Sequence, residues 1–220
     1  MRRLRISIVG TISLTAAMLI GCGGDDSAEE TQTQKATAAG CKAASKPAPR
    51  RSKLTAPEQT VKPSEELVAV VRTSCGSFEI ALDSRRAPKT VNSFVYLARE
   101  GFYDGLDFQR ISPGFVIQGG DPLGNGTGGP GYSVDEAPPS NLAYTRGVVA
   151  MAKTAVEPPG RSGSQFFVAI AADAGLSPDY ALVGRVDRGF DVVERIGRLG
   201  TPSEQPRQTV LIDRITIERG

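Results

Sequence analysis

Histidine is absent from all 220 residues of this chain. That removes the Ser-His-Asp and Cys-His machines, the HExxH zinc site and the imidazole general base together. Neither a metal nor a cofactor is expected. An excess of charge of one sign is lacking too. The formal net charge is +2, and setting aside the positives of Arg2, Arg3 and Arg5 takes it to −1. With no basic footprint and no basic stripe interleaved with aromatics, nucleic acid is not an expected partner. Long apolar runs are also missing: Ile6 to Ile20 falls short of the ~20 residues that a membrane span needs. What is present, 40% hydrophobic residues, is enough for one real core.

The first residues read as an address. Met1–Arg5 is a basic n-region and Ile6–Ile20 an apolar h-region of signal-peptide length. The segment ends in Leu19-Ile20-Gly21-Cys22, which resembles a bacterial lipobox. The resemblance implies removal of residues 1–21 and lipidation of Cys22, with palmitate among the acyl chains. Several chains give stable anchoring where one gives marginal binding, so the expected location is the outer face of the cell membrane.

Between Gly23 and Glu65 there is no Phe, Tyr, Ile or Met. Such a segment buries too little apolar surface to offset its chain entropy. Residues 22–65 are therefore expected to be a lipidated cysteine followed by a disordered tether.

The globular domain is expected over residues 66–220. Leu67–Val71 reads as a strand, Ser74–Ser77 as a tight turn, and Phe78–Leu82 as the alternating partner strand. Asp83 and Ser84 offer caps to a helix with Pro88 near its start; Val91, Phe94, Val95 and Ala98 mark its buried face and Gly101 stops it. Short strands follow around Phe108–Ile111, Phe115–Gly119, Gly147–Met151, Gln165–Ile170 and Ala181–Val186. A second helix at Phe190–Ile196 and a closing strand at Val210–Ile217 complete the order. Many short strands with Gly/Pro turns and two helices predict a mainly β fold, a closed antiparallel barrel.

Two stretches carry the chemistry. Phe108-Gln109-Arg110-Ile111-Ser112-Pro113-Gly114-Phe115-Val116-Ile117-Gln118-Gly119-Gly120-Asp121 sets a guanidinium, a phenyl ring and an amide around a Ser-Pro-Gly turn. Gly163-Ser164-Gln165-Phe166-Phe167 follows downstream of Gly147-Val148-Val149-Ala150-Met151-Ala152. Together they resemble the two signature blocks of the cyclophilin family of prolyl isomerases. Gly126-Thr127-Gly128-Gly129 and the helix Ala87–Phe94 match that family as well.

The resemblance implies an eight-stranded barrel capped by two helices, with a surface groove for X-Pro segments. It implies that Arg110 is the catalytic donor, that Phe115 and Phe167 wall a proline pocket, and that Gln118 orients Arg110 and meets substrate. Val116 and Leu176 complete the apolar wall, while Gln165, Ala152 and Gly126 line the neighbouring groove. Strand alternation alone pairs Phe115 with Ile117 and Val116 with Gln118, so the joint use of Phe115 and Gln118 rests on the family. Phe166 reads as core. The chain departs from the pattern at the groove rim: Gly175 stands where many eukaryotic members carry Trp, Tyr180 replaces a nearby His, and Lys153 replaces an Asn.

After lipidation of Cys22, Cys41 and Cys75 are the two remaining cysteines. Outside the cytoplasm they could bridge, or Cys75 could be a free thiol in its turn. The expected activity is isomerisation of X-Pro bonds in proline-containing polypeptides, carried out by a monomer. The alternative is a chaperone or scaffold that holds proline segments with incidental catalysis.

Overall fold

The computed structural model describes residues 40–220; the expected signal peptide, Cys22 and the first part of the tether lie outside the described residues. The domain opens on a hairpin. In β1, Leu67–Thr73, alternate residues are buried, and β2, Gly76–Leu82, pairs with it in unbroken register from Leu67↔Leu82 to Thr73↔Gly76. Only Ser74 and Cys75 are left for the turn, two fewer residues than the sequence suggested.

Helix α1, Pro88–Arg99, buries Val91, Phe94, Val95 and Ala98 as expected. Its start is capped differently. Neither Asp83 nor Ser84 bonds the first turn: Asp83 accepts from the Arg86 N–H, and the Ser84 hydroxyl donates to the Glu65 carbonyl. Instead the Glu136 carboxylate, 46 residues downstream of Thr90, accepts from the N–H groups of Lys89 at 3.1 Å and Thr90 at 2.7 Å. An anion at the free N–H groups of a helix suits the positive end of its dipole. At the other end Phe102 donates back to Leu97 around Gly101.

The remaining elements are β3 (Arg110–Ser112), β4 (Val116–Gly119), β5 (Val134–Asp135), β6 (Val148–Met151), β7 (Arg161–Ser162), β8 (Phe166–Ala169), β9 (Leu182–Arg188), α2 (Phe190–Gly197) and β10 (Ile212–Arg219). Eight strands form one sheet in the order β10-β1-β2-β9-β6-β8-β4-β3, and β5 with β7 forms a small separate pair. The sheet is an open half-barrel, not the closed barrel expected. Its end strands β3 and β10 share no ladder; near them the chain exchanges isolated bonds around a single bridge, Asp107↔Leu211. Turns at Gly101–Gly105 and at Pro113–Gly114 leave β3 only three residues, too little extended chain to close the seam.

Phe166 is fully buried at the centre of an aromatic cluster, edge-on to Phe94, Tyr103 and Phe108 at ring distances of 5.6, 5.6 and 6.1 Å. On β8 it alternates with Phe167, whose ring meets Tyr144 and Tyr180 instead. One strand thus supplies the core with one phenylalanine and the opposite face with the next.

Gly40–Glu65 is not a free tether. It is a strap laid on the domain. Cys41 and Cys75 are disulfide-bonded, fixing the strap to the β1–β2 turn. Backbone N–H groups then donate from Lys42 to Ser74, from Arg50 to Pro122 and from Leu54 to Pro130, at 2.7, 2.8 and 2.7 Å. Gly131 lets the strap pass: a Cβ there would stand 2.9 Å from the Cα of Lys53. The last anchor is Asn92 of α1, 4% exposed. Its Oδ1 accepts from the N–H groups of Thr60 and Val61 and its Nδ2 donates to the Glu58 carbonyl.

Replacing Asn92 with Leu should cost about 1–3 kcal/mol by orphaning those strap groups. Limited proteolysis should then cut near Thr60 first; an unchanged digest would show that the strap holds without it.

Candidate active site

The register of β3 and β4 sets Arg110 opposite Gln118, with Ile111 opposite Ile117 on the buried face. Cross-strand partners share a face. Arg110 therefore reaches Gln118, donating from Nη1 to Oε1 at 3.1 Å. Gln118 is in turn opposite Phe167 on β8, so three residues the sequence singled out separately stand in one row. Phe115 lies outside this alternation because β4 begins at Val116. It sits in the turn, its N–H donating to the Ser112 carbonyl, with the Arg110 guanidinium 5.9 Å from its ring centre.

These elements enclose a cavity of about 160 Å³ that brings together Arg110, Phe115, Val116, Gln118, Ala152, Phe167 and Leu176. Lys153 and Tyr180, noted in the sequence only as departures, join its wall. Tyr180 is held by Tyr144, whose hydroxyl donates to the Tyr180 carbonyl at 2.6 Å and accepts from its N–H at 2.9 Å. Burial pushes the Tyr144 phenol up to about 12, so it keeps its proton and that role. Phe167 meets Tyr180 edge-on at 5.5 Å. The wall is aromatic, apolar and braced.

The expected neighbouring groove is a second, larger cavity of about 570 Å³, lined by Gly126, Gln165 and Ala152 among others and sharing Gln118, Ala152 and Lys153 with the first. A chain of amides ties the two. Gln118 Nε2 donates to Gln165 Oε1 at 3.0 Å, and Gln165 Nε2 donates to the carbonyls of Gly126 and Gly128 at 3.0 and 2.9 Å. The Gly-rich loop is held from beneath by Asp121, 1% exposed, whose carboxylate accepts from Leu123, Asn125 and Gly126. A Cβ on Gly128 would fall 2.0 Å from that carboxylate.

Sequence reasoning missed Glu204. Its carboxylate grips Arg110 from the side away from Gln118: Nε donates to Oε2 at 2.7 Å and Nη2 to Oε1 at 2.9 Å. The residues are 94 positions apart, and no local pattern signals the contact. The hydrogen bonds from Arg110, then one from the Ser112 side chain, hold the Glu204 carboxyl below its usual range.

A carboxylate lowered in this way stays charged down through mild acid and loses its charge only below its ordinary range. Guanidinium and amides do not titrate near neutrality. An activity that uses these groups should therefore be level from mildly acidic to mildly alkaline pH. A limb near pH ~6.5 in folded protein would overturn this.

A half-barrel with two helices sets an arginine beside an apolar slot, with a polar groove next to it. The family described as cyclophilin type peptidyl-prolyl cis-trans isomerase/CLD matches residues 68–217. The chain is 37% identical over 175 residues to peptidyl-prolyl cis-trans isomerase B of Streptomyces anulatus, covering 70% of this chain and 98% of that one. With the isomerase ppi1 of Schizosaccharomyces pombe it shares 41% over 137 residues, 60% of this chain and 86% of that one.

Among solved structures, a cyclophilin type peptidyl-prolyl cis-trans isomerase of Cryptosporidium parvum superposes with a TM-score of 0.65 at 29% identity. The match covers 70% of this chain and 99% of that one. The same protein in the presence of the dipeptide Ala-Pro gives 0.64. The chain belongs to the cyclophilin-type isomerases, and it is a peptidyl-prolyl cis-trans isomerase.

Proposed function

We propose that this isomerase turns X-Pro bonds in polypeptides folding outside the cytoplasmic membrane, with Arg110 as the group that lowers the barrier. The observation that carries the reading is the Arg110 guanidinium, fixed beside a cavity walled by Phe115, Phe167 and Leu176. Rotation about an X-Pro amide must cross ~18–20 kcal/mol because the twisted bond loses its resonance. In the twisted state the prolyl nitrogen pyramidalises and regains a lone pair. A donor aimed there stabilises the transition state more than either ground state. No bond breaks and no proton moves, which suits a site without histidine. The apolar walls hold the proline ring, Gln118 meets the substrate, and the groove beside Gln165 and Gly126 takes the flanking residues.

The location rests on two features. Gly21-Cys22 has the form of a lipidation site, and the Cys41–Cys75 disulfide suits an oxidising compartment. The reading is of a monomer held at the outer face of the membrane by acyl chains on Cys22. Labelled palmitate should enter the wild type but not Cys22→Ser; equal labelling of both would remove the anchor. A protease-coupled isomerisation assay on the purified protein separates the enzyme from a holder of proline segments. Rates no faster than the uncatalysed tens of seconds would favour the holder.

A further inference from the structure

Among the described residues, Glu204 is the one non-glycine residue with positive φ, at +62°. A side chain there is crowded by its own backbone, and glycine would sit at ease. The loop is built to hold the residue regardless: the Glu204 N–H donates to the Thr201 carbonyl at 2.8 Å, and its carbonyl accepts from the Ile111 N–H at 2.9 Å. That second bond stitches Glu204 directly to β3, one residue from Arg110. Strained backbone kept by surrounding bonds points to a side chain needed for something other than stability.

What the side chain does is grip a guanidinium in a two-pronged contact, which fixes the plane as well as the distance. Arg110 needs that. Its side chain is 34% exposed, and a long flexible arm at a half-open site otherwise samples several rotamers. The donor account is complete. Of the five guanidinium N–H groups, Nε–H and one on Nη2 go to Glu204, and one on Nη1 goes to Gln118. Two remain for substrate, one on each terminal nitrogen.

We propose that Glu204 is a positioning residue for the isomerisation: its carboxylate and the Gln118 amide clamp Arg110 from two sides so that its two unengaged N–H groups are fixed at the proline cavity. The inference rests on the reading of Arg110 as the donor to the prolyl nitrogen. The carboxylate also offsets the guanidinium charge, which by itself would weaken the donor. Orientation outweighs this, because a donor that must be placed at the moment of rotation gains more from a fixed plane than from a stronger field.

Glu204→Gly tests the clamp, because it relieves the backbone while removing the carboxylate. Wild type, Glu204→Gly, Arg110→Ala and the double variant are compared for kcat, KM and melting temperature. Glu204→Gly is expected to melt no lower than wild type. It should lose about tenfold in kcat, with KM within about twofold, as for a group acting only through the transition state. In the Arg110→Ala background the same substitution should change kcat by less than about twofold, since its effect passes through the arginine. A Glu204→Gly rate at or above wild type overturns the proposal, and so does an equal loss in both backgrounds. Wild-type activity in Arg110→Ala would instead overturn the reading of Arg110 on which the proposal rests.

Discussion

Arg110→Ala is expected to lower kcat/KM by a hundredfold or more while leaving the melting temperature nearly unchanged. Removing one preorganised donor to a developing charge or lone pair costs ~2.7–4 kcal/mol of transition-state stabilisation. The fold loses little by comparison. Arg110 and Glu204 are 34% and 39% exposed, and ion pairs as open as this contribute about 0–1 kcal/mol. The carboxylate left behind is hydrated rather than stranded. The loss should fall on kcat, with KM little changed, because the apolar walls proposed to hold the proline ring remain. Isomerase activity within twofold of wild type would show that the slot alone catalyses rotation, by excluding water, and that the arginine is incidental.

The Cys41–Cys75 pair gives the second large effect. The bond closes a loop of 34 residues, for which chain entropy allows at most ~4 kcal/mol of stabilisation. A mobile loop would realise only part of that. Here most of the loop is already pinned, by backbone bonds to Ser74, Pro122 and Pro130 and by Asn92, so the bond restrains a chain that the native state has ordered. Cys41→Ser with Cys75→Ser, or full reduction of the wild type, should therefore cost about 3 kcal/mol. That corresponds to a fall of ~6–12 °C in melting temperature for a domain of this size. Thiol counting under denaturing, non-reducing conditions on lipid-free protein should find no free thiol. A melting point indifferent to reductant would mean that the strap's backbone bonds suffice alone.

Periodicity told most of the domain apart. The β1–β2 hairpin and the buried stripe of α1 could be read from alternation at two and at three-to-four residues, because each packs one face on the core. What alternation could not give was Phe115 together with Gln118. It assumes a strand running through both, whereas Phe115 belongs to a turn that ends before β4; family resemblance supplied that pair. Closure of the barrel was misjudged because the number of strands says nothing about whether the end strands are long enough to meet. The Glu136 cap and the Glu204 grip are each made by one carboxylate through two hydrogen bonds, reaching across 46 and 94 residues. Neither leaves any trace in the neighbourhood of either partner.

The strap was misread for a different reason. Composition measures how much apolar surface a segment can bury, and residues 40–65 bury little beyond Cys41 and Val61. Their order comes from hydrogen bonds to carbonyls that the domain leaves facing outward at Ser74, Pro122 and Pro130, and from one buried asparagine. A segment of this kind is ordered by its host, so its own residues cannot announce it.

That dependence runs in both directions. The family model matches residues 68–217, yet the hydrogen bonds and the disulfide that tie the strap to the domain begin at Cys41. A chain cut to 68–217 would uncover Asn92 on the flank of α1, the Phe102 carbonyl now capped by Arg50, and the thiol of Cys75. The family match and the hydrogen-bonded domain therefore have different borders in this protein. A truncation drawn at the first would be made of the right residues and still be missing part of its own surface.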